Sequence, residues 1–226
     1  MNNSIDISQN KAARLAGLTY LVVIITPLIS LIFIDPIINV TGDLAATLIN
    51  IIENETLYRI AITMDLLMYI GVTLLALTLY KVLKPINSFL AKLALFYRVT
   101  EAIIGIIAVL SYTVVLLILK AENFLIFDKS QLYALAEVVQ NFYWQTTIFI
   151  FVFLAIGSIL CFYLFLKSNY IPKALSIWGI ISYSLVLIGA LISLIFSGNI
   201  YMILGSQTIL FEIVIGVWLL YKGIRN

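Results

Sequence analysis

The sequence contains no histidine and only one cysteine among its 226 residues. Without histidine, zinc sites of the histidine type, imidazole-ligated haem and histidine-based nucleophilic triads are excluded. Cys161 has no second cysteine to pair with, and its apolar surroundings favour a packing role. Phosphate-loop, dinucleotide-binding and nucleophile-elbow motifs are missing as well. We therefore expect neither a cofactor nor a metal.

Charge is also scarce, since charged residues make up 11% of the chain and hydrophobic residues 63%. A mean hydropathy of +1.14 is too high for an ordinary water-soluble domain. A helix that crosses a bilayer needs roughly 20 apolar residues, and barrel strands would be shorter and strictly alternating. The sequence thus predicts an all-α integral membrane bundle, a single transmembrane domain over residues 1–226, with six spans: 15–34, 60–80, 93–119, 142–166, 174–197 and 200–221.

The distribution of basic residues predicts that both termini are cytoplasmic. Positive charge concentrates in short cytoplasmic segments, and nine basic residues fall on the terminal side: Lys11, Arg14, Lys81, Lys84, Lys92, Lys167, Lys173, Lys222 and Arg225. The other side has Arg59, Lys120 and Lys129 together with most of the acidic residues. The first span is expected to be a retained signal anchor in the cell membrane. The net charge of +2 gives no reason to expect nucleic acid, whereas membrane lipids are expected partners.

Two of the connections on the other side are long enough to contain helices. The pattern from Asp43 to Ile52 predicts a short amphipathic helix at the membrane interface. Asp128, followed three residues later by Gln131, predicts a helix N-terminus that continues into the fourth span. These helices could cover a site or merely shield the end of the bundle.

Four ionisable residues lie inside the predicted spans, where charge is costly and usually functional: Asp65, Arg98, Glu101 and Glu212. Arg98 and Glu101 are three residues apart and share a helix face with small residues that permit close helix packing. We expect the four side chains to share one interior pocket, with Arg59 near its outer boundary. These five residues are the candidates for binding a ligand or ion.

Three carboxylates beside Arg98 would leave the interior with two uncompensated negative charges. Protonation, a contribution from Arg59, a bound cation or a water-filled cavity would each compensate for them. The alternative interpretation is structural, with buried ion pairs that only fix the register of the helices. Sequence alone leaves both interpretations open.

Several longer runs together resemble a bacterial membrane family, the domain of unknown function 4386. The resemblance extends from about Lys11 to Gly223 and rests on these runs: Leu57–Arg59, Asp65–Leu67, Leu79–Asn87, Phe96–Ala102, Tyr170–Gly179, Glu212 and Val217–Gly223. It implies a multi-pass protein of the bacterial inner membrane and brings no established activity. The five candidate residues fall within the matching runs, but the resemblance assigns them no role.

Three functions remain open at this stage. The first is binding or transport of a proton, cation or small molecule at the interior charges. The second is an accessory or structural subunit that associates with another membrane protein or with a second copy of itself. The third is an intramembrane enzyme acting on lipid, which would need Asp65 and Glu101 together as general acid and base.

Overall fold

A computed structural model describes residues 7–120, 128–196 and 198–225. Glu122, one of the acidic residues that the sequence assigns to the side opposite the termini, lies outside the described residues. The described chain forms nine α-helices and one π-helical turn, Ser30–Ile34. The α-helices are α1 Ile7–Ile29, α2 Asp35–Ile38, α3 Leu44–Glu53, α4 Glu55–Leu83, α5 Ser88–Leu119, α6 Lys129–Ser168, α7 Lys173–Phe196, α8 Ile200–Gly205 and α9 Gln207–Lys222.

Six helical segments are long and apolar enough to cross a membrane, which confirms the predicted all-α bundle of six spans. The first span combines α1, the π-turn and α2, and the last combines α8 and α9. Neighbouring spans pack in a closed ring in the order α1, α4, α5, α6, α7, α9. At the α1–α9 contact, a Cβ on Gly17 would lie 2.6 Å from the Gly216 carbonyl oxygen, so only glycine permits this approach.

The first span is irregular near its C-terminal end. Pro27 removes one backbone hydrogen bond, and the Thr26 hydroxyl instead donates to the carbonyls of Val22 and Val23, at 2.8 and 3.3 Å. The helix then widens into the π-turn at Ser30. The last span is interrupted too, because α8 ends at Gly205 and α9 begins at Gln207. The apolar runs that predict the spans do not indicate either interruption, although a proline such as Pro27 favours a kink.

The end of the bundle away from the termini, here called the far end, is covered by α3. The predicted helix after Asp43 is confirmed, and the Asp43 side chain caps it by accepting from Ala46 N at 2.9 Å. Asp128 and Gln131 form the predicted capping box, and α6 continues from there through the membrane. Thr47, Leu48 and Ile51 of α3 are buried, so this helix closes part of the far end.

The opposite end, which carries both termini and is here called the terminal end, is tied together by long-range hydrogen bonds. The Gln9 amide donates to the Val82 carbonyl at 2.8 Å and to the Tyr170 hydroxyl at 3.1 Å. The backbone N–H of Arg225 donates to the Tyr170 carbonyl at 2.9 Å, and that of Ile224 to Asn10 Oδ1 at 3.1 Å. The terminal end is therefore held closed by residues that are far apart in sequence.

Candidate functional site

Arg98 and Glu101 form a buried ion pair on α5. The Arg98 Nη1 and Glu101 Oε2 atoms are 2.8 Å apart, and each residue is 4% exposed. Their spacing places both on one helix face, and Gly157 of α6 leaves room for the arginine, since a Cβ there would lie 2.9 Å from Arg98 Cγ. The Ser158 hydroxyl accepts a long hydrogen bond of 3.5 Å from the same Nη1. Helix packing thus encloses the pair between α5 and α6.

Glu212 joins this pair from the other side of the ring. The Tyr183 hydroxyl of α7 donates to Glu212 Oε1 of α9 at 2.6 Å. Glu212 also interacts electrostatically with Arg98 and Glu101, and Tyr20 of α1 interacts with the same three charges. We call Tyr20, Arg98, Glu101, Tyr183 and Glu212 the arginine cluster. It joins α1, α5, α7 and α9 in the interior of the ring.

The arginine cluster is incompletely satisfied by the described residues. Arg98 Nε and Glu101 Oε2 are buried and make no hydrogen bond, although Oε2 lies close to Nη1 as an ion pair. Two carboxylates face one guanidinium, so the formal charge of the cluster is negative. Removing either member of the ion pair would leave a charge buried without its partner, which is costly.

Asp65 lies in a different group, toward the far end. It is about five helical turns from the Leu83 end of α4, whereas Arg98 is about three turns from the adjoining Ser88 end of α5. A short turn joins these two helix ends, so the two side chains are offset by about 12 Å along the helices. The expectation of one shared pocket must therefore be corrected, because helix faces can be read from spacing but the depth at which neighbouring helices align cannot.

Arg59 is separate from both groups. Its Nε lies 2.8 Å from Glu55 Oε1, one turn earlier on α4, and its side chain is 56% exposed. Lys120 Nζ reaches the other oxygen of Glu55 at 2.6 Å. Arg59 thus belongs to a surface ion-pair group. The expectation that it could compensate for the interior carboxylates is therefore wrong.

Asp65 faces a cavity of about 490 Å³ between the helices. Among the described residues, its carboxylate has no hydrogen-bond partner, in contrast to Glu212. Asp35, at the start of α2, lines the same cavity and interacts electrostatically with Asp65. From the sequence, Asp35 is one of the acidic residues assigned to the side opposite the termini. The π-turn that precedes it explains why it turns inward, and such turns have no reliable sequence signature.

Four aromatic residues form a continuous wall of this cavity: Tyr58, Tyr112, Tyr143 and Trp144. Their ring centroids are 5.8 Å apart for Tyr58 and Tyr112, 4.3 Å for Tyr112 and Tyr143, and 5.4 Å for Tyr143 and Trp144. We call these four residues the aromatic wall. It is assembled from α4, α5 and α6, so no single run of sequence reveals it. The seven-residue spacing of Tyr58 and Asp65 places both on one face of α4 and is the sequence signal for part of this wall.

An outer vestibule of about 690 Å³ adjoins the cavity at the far end. Four residues line both spaces: Asp35, Asn39, Gln140 and Trp144. Asp43 and Glu137 add two more acidic residues to the vestibule. Among the described residues that line either space there is no lysine or arginine, so the linings of both spaces are acidic.

The described residues contain no group of three or more histidine, cysteine, aspartate or glutamate side chains arranged to hold a metal ion. Asp65 and Glu101 lie in different groups, and no hydrogen bond joins them within the described part of the chain. The acid–base pair that a lipid-modifying enzyme would need is therefore not assembled.

Comparison with known proteins identifies the family to which the chain belongs. The family model described as Domain of unknown function (DUF4386) matches residues 15–223, and the chain belongs to this family. No curated protein and no solved structure matches the chain. Both the arginine cluster and Asp65 with the aromatic wall lie within the matched residues.

Proposed function

We propose that this member of the family binds a small cation in the cavity beside Asp65 and carries it across the bacterial inner membrane. The observation that carries the proposal is the Asp65 carboxylate, which lines an interior cavity. Among the described residues it has no hydrogen-bond partner, and none of those that line the cavity is basic. A charge inside a membrane is costly unless something pairs with it. A cationic ligand would supply that partner.

The electrostatics of the approach favour the same sign of ligand. Asp35, Asp43, Glu137 and Asp65 mark the path from the vestibule to the cavity. Acidic clefts with low-dielectric walls raise the local concentration of cations and exclude anions. Asp35 and Asp65 also repel each other when both are ionised, and a cation between them relieves that repulsion.

The shape of the bundle suits a carrier better than a passive binding protein. The cavity shares four lining residues with the vestibule at the far end, while the Gln9, Tyr170 and Arg225 hydrogen bonds tie the terminal end closed. The two interrupted spans adjoin the cavity, through Pro27 and Ser30 of the first and Met202 of the last. Interrupted helices beside a binding site are a recurrent feature of transporters. With cytoplasmic termini, this structure would be open to the outside.

Trp144 lines both the cavity and the vestibule, so its fluorescence can report binding. Chlorides of sodium, potassium, magnesium, ammonium and tetramethylammonium are added separately to the purified protein at equal ionic strength. We expect a saturable change with at least one of these cations, which is lost in Trp144→Phe. An identical, non-saturating response to every salt would contradict the proposal. Trp144 is 44% exposed, so this control variant should fold.

A further inference from the structure

We infer that the cation is organic, a substituted ammonium group with apolar substituents that lies between Asp65 and the aromatic wall. This inference rests on the proposed function and names the class of its ligand. It depends on three properties of the cavity: its size, its oxygen ligands and the chemistry of its walls.

The cavity is unsuited to a bare metal ion. Its volume of about 490 Å³ falls in the range of sites for small organic ligands, roughly 300–1,000 Å³. Calcium takes six to eight oxygen ligands and magnesium demands near-octahedral geometry. Among the described residues that line it, the cavity has two carboxylates, Asp35 and Asp65, and the described residues contain no group of three or more histidine, cysteine, aspartate or glutamate side chains placed to hold a metal ion.

The aromatic wall offers ring faces, which suit an organic cation better than a metal ion. The faces of tyrosine and tryptophan rings attract organic cations, and cages of such rings are a known means of binding quaternary ammonium groups. Tyr58, Tyr112 and Tyr143 lie in direct ring contact and share the cavity with Asp65. A positive centre can therefore contact ring faces while it pairs with a carboxylate.

The remaining lining explains why the substituents should be apolar. Leu31, Ile62, Phe151 and Met202 line the part of the cavity contributed by the first, second, fourth and last spans. Transfer of apolar groups from water onto these side chains is favourable in proportion to the apolar area that is buried. Ammonium itself would leave this surface uncovered, whereas alkylated ammonium would cover it.

The test uses Trp144 fluorescence with a graded set of cations: ammonium, tetramethylammonium, tetraethylammonium and choline. Affinity should rise by at least about tenfold from ammonium to the alkylated cations. The neutral carbon analogue of choline, 3,3-dimethylbutan-1-ol, should bind at least about tenfold more weakly than choline, because it has the same shape but no charge.

Two substitutions test the wall itself. Tyr143→Leu should weaken binding of tetramethylammonium by about 5- to 30-fold, whereas Tyr143→Phe, which keeps the ring, should change it by less than about threefold. Tyr221→Leu is the matched control, since Tyr221 is 72% exposed and lies outside the cavity lining. Circular dichroism of both Tyr143 variants checks that they are folded.

The outcomes separate this inference from the proposed function. One outcome is that sodium, potassium or magnesium binds, that this binding is lost in Asp65→Asn, and that the alkylated cations bind no better than ammonium. In that case the inference of an organic ligand is wrong, and the proposed cation binding stands. If none of the cations binds, both proposals are overturned. Equal binding of choline and its neutral analogue would also overturn the inference, because charge would then play no part.

Discussion

Replacing Arg98 by alanine is expected to lower the free energy of unfolding by about 3–5 kcal/mol. The guanidinium is 4% exposed and 2.8 Å from Glu101, and it interacts with Glu212 across the ring. Its removal would leave two carboxylates buried beside each other with no cation. The measurement is equilibrium unfolding in mixed micelles, followed by circular dichroism, for wild type and variant under the same conditions.

Arg59→Ala is the matched control for this substitution. Both arginines pair with a glutamate on their own helix at 2.8 Å, but the Arg59 side chain is 56% exposed. Exposed ion pairs contribute at most about 1 kcal/mol, so the control should have little effect. Similar losses in the two variants would contradict a buried, structural role for the Arg98 pair.

A double substitution separates a structural pair from a functional one. Arg98→Met combined with Glu101→Leu removes both charges and keeps similar volumes, and buried ion pairs replaced in this way often lose little or no stability. We expect the double variant to recover at least about half of the stability lost by Arg98→Ala. A double variant that is stable and also binds cations normally would confine the arginine cluster to helix packing.

Asp65→Asn should abolish cation binding while leaving the protein folded. Loss of one partner from a buried charge pair costs about 2–5 kcal/mol of binding energy, so affinity should fall by at least about 30-fold. Stability should be unchanged or slightly higher, because the carboxylate has no hydrogen-bond partner among the described residues and repels Asp35. Binding is measured by Trp144 fluorescence and stability by the same unfolding experiment.

Glu137→Gln provides the comparison within the same path. Glu137 lines the vestibule but not the cavity, and it is exposed to solvent. Its substitution should reduce affinity by less than about threefold, because exposed charges at the mouth act mainly by screened attraction. If Glu137→Gln and Asp65→Asn weaken binding equally, the binding site lies in the vestibule and the assignment to Asp65 is wrong.

The features that depend on local sequence could be predicted. Long apolar runs determined the six spans, and the capping residues Asp43 and Asp128 determined where α3 and α6 begin. Spacing along α5 predicted that Arg98 and Glu101 would pair. Each of these follows from interactions within one helix or between a helix and the bilayer.

The features that depend on alignment between helices could not be predicted. The separation of Asp65 from Arg98 follows from their different depths in the bundle. The aromatic wall requires Tyr58, Tyr112 and Tyr143 of three helices to come into contact. The periodicity within each helix does not predict such contacts between helices. The inward position of Asp35 depends on the π-turn at Ser30–Ile34, which disrupts the regular spacing used to assign faces.

The most direct measurement is a crystal structure with a bromine-labelled quaternary ammonium ion, (2-bromoethyl)trimethylammonium, located by the anomalous scattering of bromine. The proposed site predicts an anomalous peak in the cavity between Asp65 and the rings of Tyr112 and Tyr143, and no such peak for Asp65→Asn. A peak that persists in Asp65→Asn, or one found only at the arginine cluster or on the outer surface, would contradict a cation site at Asp65.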